Sequence, residues 1–353
     1  MKKHVKILTY CTGSSIGSIL QSYALTRTLE NMGHESAVWL ESPIPQKRKS
    51  VSQFLRNTVR QLYRKPFKKR ILSAYRKRTD FIKAHMTTEI FSDYSDLKQR
   101  ALECQGDVFL SGSDQVWNPD KCSPTFFLDF VEEGKRVSYA ASMGKTEIPS
   151  EKEPTIEDYL SRFDRISVRE QECADALQKL TDHEIAVHVD PTFLQDRQAW
   201  KDLEKPYRKV KGPYILLYML YWDKSCKEQI VALKKRTGLP VYAICPDVSR
   251  VYADKHLYDV GVEEFLWLID HAEYVITSSF HGVALSIQFQ KQFAAVVNPG
   301  MPSRIANVLK VLQVPHVSID ELDTTPRFDY GKVAQSIEKE RDRSIDYLKE
   351  AVE

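Results

Sequence analysis

The chain has 353 residues, with 51 basic and 48 acidic side chains, a formal net charge of +3 and 42% hydrophobic residues. This balance excludes a disordered chain, and 13 glycines and 16 prolines exclude a fibrous or low-complexity one. Because single cores stop growing at roughly 250–300 residues, two domains are expected.

The sequence shows no segment that is expected to span a membrane or to form a disulfide framework. Its longest dense apolar run, residues 214–222, has the length of a strand and falls short of the roughly 20 residues that cross a bilayer. The basic start of the chain has too short an apolar part, broken by His4 and Lys6, for a signal peptide. The six cysteines lack C-x-x-C or paired spacing, which argues against a zinc site. Reduced cysteines in the cytoplasm are expected.

The first part of the chain predicts one βαβ unit. Residues 5–10 form a strand-like apolar run, the small residues 11–18 follow as a turn, and residues 19–32 carry apolar side chains at helical spacing. The helix is expected to end at Gly33, a typical C-cap, before a second strand at residues 34–40. This succession is typical of a parallel sheet.

Residues 45–100 interrupt the alternation, and we expect them to form long helices rich in Lys and Arg, an insert in the first domain. Beyond the insert the alternation resumes. Further strands of the first domain are expected at residues 107–110, 136–140, 165–168 and 184–189. A polar, highly charged stretch at residues 195–211 indicates the domain boundary.

The second part of the chain repeats the α/β alternation. Strands are expected at residues 214–221, 240–244, 274–277 and 293–297, helices at 224–237, 262–271, 282–289 and 303–312, and an amphipathic helix at about 330–352. The predicted fold class is α/β, with Rossmann-like domains at residues 1–198 and 199–328 and a C-terminal amphipathic helix at 329–353. Two open parallel sheets predict a ligand at the carboxyl ends of their strands, in the cleft between the domains.

Two turns after predicted first-domain strands carry candidate binding residues. Gly13 and Gly17 lie in a Gly/Ser-rich turn ahead of a helix, where backbone N–H groups suit an anion; a tight βαβ turn would explain the same residues. The second turn, SGSDQVWNP, brings Asp114 as a general acid or base. Gln115 or Asn118 would orient a sugar hydroxyl there. The alternative for Asp114 is a helix cap.

Further cations and hydroxyls are expected near the cleft. Arg169 follows a predicted buried strand, and its guanidinium suits a carboxylate or phosphate, the alternative being a structural ion pair. Ser278, Ser279 and His281 lie at a predicted helix N-terminus, which makes an anion site with an acid or base attached. A lone His is also often satisfied by nearby backbone. Arg304, near the start of a late helix, is either a second cation or a solvated helix residue.

Six short motifs follow one another across residues 5–312. They are GSSIG with the following LQSYAL, then GSDQVWN, SYAASMG, SVRE, DPT and TSSFHG. Together and in this order they resemble the polysaccharide pyruvyl transferase family, although no single motif is specific. The resemblance implies a two-domain fold similar to that of GT-B glycosyltransferases. It also implies transfer of pyruvate, as a ketal, from phosphoenolpyruvate (PEP) to a sugar of a cell-surface glycan.

The resemblance carries over to particular residues. Arg169 and His281 match family positions that contact PEP. Ser279 stands where some members have an arginine two residues before the histidine, so one phosphate-binding cation is missing here. Either Arg304 compensates for that cation or the chain uses a different donor.

The chemistry of this family suits the residue types that the chain offers. PEP carries a carboxylate and a phosphate, which cations and helix N-termini bind. We expect Arg169, the hydroxyls of Ser278 and Ser279 and the backbone at the start of the following helix to hold the donor. His281 is expected to be an acid or a phosphate ligand, and Asp114 is expected to activate the sugar hydroxyl.

The charge of the chain is concentrated in one segment. Residues 47–83 hold 14 Lys or Arg and one acid, Asp80, a net charge of +13, so the rest of the chain carries −10. Apolar residues interleave with these cations at roughly helical spacing. A basic amphipathic helix suits an anionic membrane surface, at ~1 kcal/mol per cation, and lipid-linked glycan precursors lie at such a surface. A solvated helical face and a nucleic-acid patch are the alternatives.

The predicted function is thus that of a cytoplasmic transferase, peripheral at the inner face of the membrane if the basic segment binds lipid. Its expected partners are PEP and a glycan acceptor, which lipid-linked precursors would supply, and no cofactor, metal or nucleic acid is expected. Two other functions stay open. One is a GT-B-type glycosyltransferase that uses a nucleotide sugar, which the missing arginine at Ser279 favours. The other is a non-catalytic protein that binds an anionic partner through the insert.

Overall fold

Two open parallel sheets of five strands lie at the centre of the computed structural model, one in each half of the chain. The structure describes residues 2–42, 65–220, 222, 224–245, 251–297 and 303–353. The strands of the first sheet are β1 (His4–Leu8), β2 (Glu35–Glu41), β3 (Thr88–Phe91), β4 (Val108–Ser111) and β5 (Lys135–Ser138). Their order is β3-β2-β1-β4-β5, so the first strand in sequence is the central one.

Two short parallel strands extend the first half beyond β5. They are β6 (Ile166–Val168) and β7 (Ile185–Val187), and they pair with each other. Isolated bridges from Val137 to Arg165 and from Ala141 to Val168 place β6 beside β5. The carboxyl ends of β4, β5, β6 and β7 therefore lie along one edge of the first half.

The second sheet repeats the arrangement of the first. Its strands are β8 (Ile215–Tyr218), β9 (Val241–Ile244), β10 (Lys255–Leu257), β11 (Tyr274–Thr277) and β12 (Gln292–Ala295). Their order is β10-β9-β8-β11-β12. All four residues of β4 and of β8 are buried, as expected of parallel strands covered on both faces. Each sheet has a switch point beside its central strand, between β1 and β4 and between β8 and β11, where such folds bind ligands.

Helices and short 3-10 turns connect the strands. The helices are α1 (Ile16–Asn31), α2 (Lys68–His85), α3 (Tyr94–Leu102), α4 (Glu153–Leu160), α5 (Gln171–Leu177), α6 (Arg197–Lys201), α7 (Lys224–Thr237), α8 (Val262–Asp270), α9 (Phe280–Gln288), α10 (Ser303–Val311) and α11 (Tyr330–Val352). The 3-10 turns are Lys65–Phe67, Ser150–Lys152, Gln178–Leu180 and Pro191–Phe193. Within the described ranges, every helix is too short or too polar to cross a bilayer.

Helix α2, from the basic segment of the first half, is bonded to the second half. Lys77 Nζ donates to Glu264 Oε1 at 2.7 Å and to the Asp259 carbonyl at 2.9 Å. The buried Arg78 donates from Nε to the Val260 carbonyl at 3.1 Å. One face of the basic helix is therefore used for contact between the two halves.

Helix α11 returns the chain to the first half. It starts beside β12, where the Phe328 amide donates to Gln292 Oε1 at 3.3 Å. Near its end, the Tyr347 hydroxyl donates to the Ser138 carbonyl of β5 at 2.9 Å. Leu348 is fully buried, on the apolar side that the sequence predicts. The helix lies where the sequence predicts the C-terminal amphipathic helix.

The expected strands and helices agree with the structure to within a few residues, and β11 and α7 have the predicted bounds. Two strands were not predicted, β3 and β10. The expectation of an insert helical throughout residues 45–100 is wrong at β3, a short edge strand of the first sheet. Residues 43–64, which include much of the basic segment, lie outside the described ranges.

Candidate active site

The switch points of the two sheets meet at a cavity of about 330 Å³ between the halves of the molecule. The turns that follow β1 and β4 form its first-half wall. The end of β8, the turn that follows β11 and the start of α10 form its second-half wall. Carboxyl ends of parallel strands thus converge on one space from both sides, as the two-sheet prediction expected.

The N-terminus of α1 reaches this cavity from the first half. Ser15 caps the helix, and its Oγ accepts a hydrogen bond from the Ser18 amide at 3.3 Å. Gly17 lies in the first turn, against the imidazole of His281, and a Cβ at position 17 would be 2.2 Å from Nδ1. Only glycine lets the helix approach the ring this closely. The free N–H groups of this turn add the positive end of a helix dipole to the cavity.

The N-terminus of α9 reaches the cavity from the second half. Its cap is Ser279, whose Oγ accepts from the Gly282 amide at 3.4 Å and whose own amide donates to Thr277 Oγ1 at 3.1 Å. Ser278 Oγ accepts from the Leu220 amide at 2.8 Å. These hydroxyls hold the turn in place, so the start of α9 presents its N–H groups and His281 to the cavity.

The turn after β4 places a carboxylate and an amide on the first-half wall. Asp114 has φ +73°, a left-handed conformation that Asp tolerates better than most residues. Its Oδ1 accepts from the Gln115 amide at 2.9 Å, and its carbonyl accepts from the Ser142 amide at 3.0 Å. A Cβ at Gly144 would be 2.1 Å from Gln115 Nε2, so the side chain of Gln115 lies against bare backbone. Residues in such conformations cluster at functional sites.

A buried ion cluster lies behind the second-half turn. Arg169 Nε donates to Glu170 Oε1 at 2.9 Å, and Arg169 Nη1 donates to Asp190 Oδ2 at 2.7 Å. The side chains of Arg169 and Asp190 are 3% and 0% exposed. The guanidinium carbon lies 4.3 Å from the centroid of the Phe280 ring. Burial alone would lower the pKa of Arg169, but Glu170 and Asp190 raise it above its usual value, so the guanidinium stays charged.

His281 stands between this cluster and the cavity. Its Nε2 lies 3.8 Å from Asp190 Oδ2, too far for a hydrogen bond, and has no hydrogen-bond partner among the described residues. Burial lowers the pKa of His281; Asp190 and Asp114 act against that shift, whereas Arg169 and Arg304 add to it. The imidazole is therefore neutral near pH 7 in the free protein.

Arg304 supplies the cation of the second-half wall. Burial and the nearby Arg169 lower the pKa of Arg304, and Asp114 opposes that shift, but a guanidinium remains charged at neutral pH. Among the residues that the structure describes, the cavity thus combines one guanidinium, one imidazole and two helix N-termini with the carboxylate of Asp114. This arrangement suits a small anion bound beside a group that can carry a proton.

The structure brings together seven of the ten predicted site residues. They are Gly17, Asp114, Gln115, Ser278, Ser279, His281 and Arg304. Arg169 instead lines a neighbouring cavity of about 300 Å³ that shares Phe280 and Arg304 with the first. Gly13 lies against Tyr75 of α2, and Asn118 Oδ1 accepts from the Asp120 amide at 3.0 Å. Gly13 and Asn118 therefore lie outside the described lining of the cavity.

Asp190 is the main site residue that the sequence reasoning missed. It belongs to the DPT motif after β7, which was noted only as part of the family resemblance. Its carboxylate contacts residues that follow β4 and β6, and that convergence depends on how the strands lie side by side. A buried Asp directly after a predicted strand is the one signal that could have indicated it.

One group of possible metal ligands lies apart from the cavity within the described part of the chain. It consists of Glu204, Asp270 and His271, whose ligand atoms lie within 4.8 Å of one another. Arg197 and Lys201 approach the Asp270 carboxylate to 3.5 and 3.4 Å. Because these two cations already balance the negative charge, the group suits an ion-pair network better than a divalent cation.

Comparisons with known proteins agree with this architecture. A sequence model of the polysaccharide pyruvyl transferase family matches residues 16–299. No curated protein matches the sequence. A putative UDP-N-acetylglucosamine 2-epimerase from Listeria monocytogenes is similar in structure, with a TM-score of 0.56 and 11% identity over 99% of this chain and 96% of that one.

Two further solved structures have similar scores. UDP-GlcNAc 2-epimerase from Neisseria meningitidis, bound to UDP-GlcNAc, has a TM-score of 0.54 and 9% identity over 99% of both chains. LpCGTa in complex with UDP has a TM-score of 0.50 and 10% identity over 100% of this chain and 99% of that one. At such identities the likeness shows the fold alone. It confirms the predicted α/β class with two Rossmann-like domains of the GT-B type.

Proposed function

The chain belongs to the polysaccharide pyruvyl transferase family, and from this premise we propose that it transfers pyruvate as a ketal from PEP to a sugar. The sugar belongs to a cell-surface polysaccharide or to its lipid-linked precursor. The observation that carries the proposal is the meeting of His281, Arg304 and two helix N-termini at one cavity. A donor with a carboxylate and a phosphate needs such a combination of cation, backbone donors and proton carrier.

The proposed reaction changes the bonds at C2 of PEP and transfers protons to C3 and from the sugar hydroxyls. Two hydroxyl oxygens of the sugar form bonds to C2 of PEP, the bond from C2 to the phosphate oxygen breaks, and C3 gains a proton to become a methyl group. Of the two hydroxyl protons released, one balances the proton gained by C3 and the other leaves with inorganic phosphate. The site therefore needs an acid near the donor and a base near the acceptor.

His281 and Asp114 fill these two roles on opposite walls of the cavity. His281, at the start of α9, supplies the proton to the donor. Asp114, after β4, accepts a proton from the attacking hydroxyl, and the amide of the neighbouring Gln115 orients that hydroxyl. Both carboxylate and amide line the cavity that His281 lines, which supports this division.

The donor's charged groups are assigned to Arg304 and to the N–H groups that begin α1 and α9. Ser278 and Ser279 contribute by holding the turn, because their hydroxyls already bond main-chain N–H groups. Arg169 has two carboxylate partners and is assigned a supporting role behind Phe280. Direct contact of Arg169 with PEP stays a prediction.

A glycosyltransferase that uses a nucleotide sugar is the second candidate. The observation that favours it is Ser279, which stands where some family members carry a phosphate-binding arginine. A thermal-shift screen of donors separates the two candidates. PEP at 100 times its dissociation constant should stabilise the protein by about 2.7 kcal/mol, whereas UDP and GDP sugars should leave the melting temperature unchanged. Stabilisation by a nucleotide sugar and not by PEP would reverse the assignment.

The exposed face of α2 is proposed to contact an anionic membrane that carries the lipid-linked acceptor. Leu72 and Tyr75 are 56% and 53% exposed, and exposed cations surround them, among them Lys68 and Lys69. Cations beside exposed apolar side chains suit an anionic lipid surface. Tyr75 also packs against Gly13, two residues before the Ser15 cap, so this face lies close to the cavity.

Vesicle sedimentation tests the membrane contact. We expect the protein to bind vesicles with anionic lipid and not neutral ones, and a K68E/K69E double variant to lose ~4 kcal/mol of that binding, at ~1 kcal/mol per unit of charge. The matched control is K332E/K339E, the same charge change on the exposed side of α11. Equal loss in both pairs would mean a general charge effect, and no preference for anionic vesicles would rule the contact out.

A further inference from the structure

Asp190 connects His281 to the buried ion cluster, and the geometry points to a specific task for it. We propose that Asp190 is a positioning residue that allows His281 to take up one proton when an anionic donor enters the cavity. This inference rests on the proposed function, because it makes donor binding the event that turns His281 into an acid.

The hydrogen bonds of Asp190 fix its carboxylate in one orientation. Oδ1 accepts from the Thr192 amide at 3.0 Å and from the Thr192 hydroxyl at 2.8 Å. Oδ2 accepts from Arg169 Nη1 at 2.7 Å, and Ser113 Oγ, whose hydroxyl donates to the Ala140 carbonyl at 2.7 Å, lies 3.4 Å from Oδ2. The same Oδ2 is the atom that lies 3.8 Å from His281 Nε2. A small rotation of the imidazole would therefore turn this contact into a charge-assisted hydrogen bond once Nε2 carries a proton.

The charges of the cluster leave room for one more cation. Arg169 carries one positive charge, and the carboxylates of Glu170 and Asp190 that contact it carry two negative charges. A protonated His281 would bring this buried group to neutrality. Burying an isolated charge costs much more free energy than burying a compensated one. The cluster therefore favours the imidazolium of His281 once the desolvation of that imidazolium is offset.

The other charged groups around His281 determine when its imidazole becomes protonated. Asp114 on the first-half wall favours the imidazolium, while Arg304 on α10 and Arg169 behind the ring oppose it. Burial is the largest influence and keeps the pKa of His281 below its ordinary value in the free protein. A donor that bears phosphate and carboxylate charges neutralises Arg304 and adds negative charge beside the ring. Both effects raise the pKa, so binding takes a proton from solvent onto the imidazole near neutral pH.

Proton uptake can be measured directly during donor binding. PEP is titrated calorimetrically into the protein without acceptor, at one pH near 7.5, in buffers with different heats of ionisation, and the slope of binding heat against buffer heat counts protons. We expect the wild type to take up close to one proton per PEP. H281N should bind PEP with uptake near zero, which separates the protein's proton from any change in PEP itself. D190N should take up less than half as much as the wild type.

A second buried carboxylate, Asp259, provides the control for Asp190. D259N removes another buried carboxylate, which accepts from the Tyr207 hydroxyl at 2.6 Å, and should retain full uptake. If D190N does not fold, T192V takes its place: it keeps the charge and the main-chain bond to Oδ1 but removes the hydroxyl bond to the same atom, and uptake should still fall. Wild-type binding without uptake, or equal uptake by the folded Asp190 or Thr192 variant, overturns the proposal.

Failure of the donor assignment would look different. A wild type that does not bind PEP overturns PEP as the donor and leaves the role of Asp190 to be decided with inorganic phosphate. Uptake of a proton with phosphate that is lost in H281N and falls below half in D190N supports the proposal for Asp190. Phosphate binding without uptake, or with equal uptake in D190N, overturns it.

Discussion

The two helix N-termini at the cavity are built alike and contribute different things. Both follow a strand beside a switch point, and both are capped by a serine, Ser15 on α1 and Ser279 on α9. The second residue of α1 is Gly17, whose bare backbone lies against the ring of His281. In α9 the second helical residue is His281. The turn at α1 leaves space for the imidazole, and the turn at α9 supplies it. Proton transfer is therefore expected from the side of α9.

The largest effect should come from removing the side chain that distinguishes the two turns. H281N should lower the rate of PEP-dependent pyruvylation by ~10²–10⁴-fold, the usual contribution of a positioned acid. Mass spectrometry of an isolated acceptor glycan measures it. The control is H188N: His188 is also buried, and its Nδ1 contacts Ser344 Oγ at 3.3 Å, away from the lining of the 330 Å³ cavity. An active H281N enzyme would place the acid elsewhere.

The next largest effect should come from removing Arg304, the cation on the same wall as α9. R304Q should raise the KM for PEP by ~10–100-fold, because charge-assisted hydrogen bonds contribute ~1.5–3 kcal/mol each. K310Q, a change of charge on the same helix, is the matched control, since Lys310 lines only the neighbouring cavity of the two. Steady-state kinetics with varied PEP measures both. An unchanged KM in R304Q would leave the donor to the helix N-termini alone.

Filling the space on the side of α1 should damage the same chemistry from the opposite wall. G17A places a methyl group where the ring of His281 lies, and a misplacement of ~1 Å can cost ~10²-fold in rate. Stability should change by less than ~1 kcal/mol, since alanine suits a helix and the ring can rotate away. If the effect acts through the ring, G17A added to H281A should cause no further loss of rate. A full additional loss would show that Gly17 acts independently of His281.

The smallest effects should come from the two caps, where the turns are most alike. S15A and S279A should each lower the free energy of unfolding by ~0.5–2 kcal/mol. The loss should be larger for S279A, because Ser279 is 3% exposed whereas Ser15 is exposed to solvent that can replace its bond. Chemical denaturation monitored by circular dichroism measures the difference. Equal losses would mean that burial does not distinguish the turns.

The fold could be predicted from sequence wherever apolar runs and helix signals are strong. Strand β11 and helix α7 have the expected bounds because each combines a clear apolar pattern with clear ends. The strands that were missed, β3 and β10, are short edge strands with the sequences TEIF and KHL. An edge strand needs fewer buried side chains, so its sequence carries little of the signal that identifies a central strand.

The site was predictable to the extent that local sequence carries its chemistry. The place of His281 in the cavity lining could be predicted because a His beside hydroxyls and glycine at a helix start is a local pattern. Gly13 and Asn118 were predicted from similar patterns but lie outside the cavity lining, since residues that build a turn resemble residues that bind a ligand. Asp190 and the supporting place of Arg169 depend on contacts between separate strands, which the sequence does not record.

The return of α11 to the first half has a mechanical consequence. Within the described residues the polypeptide crosses between the halves twice. One crossing comes after the 3-10 turn Pro191–Phe193 and the other along α11, where Arg341 Nε donates to the Phe193 carbonyl at 2.8 Å. Two crossings that meet at one place would form a hinge line between the halves. We expect such a pair of crossings to favour bending of the halves about that line over twisting or sliding past each other. Opening would therefore separate His281 from Gly17, and reclosing would restore the same pair in the same register.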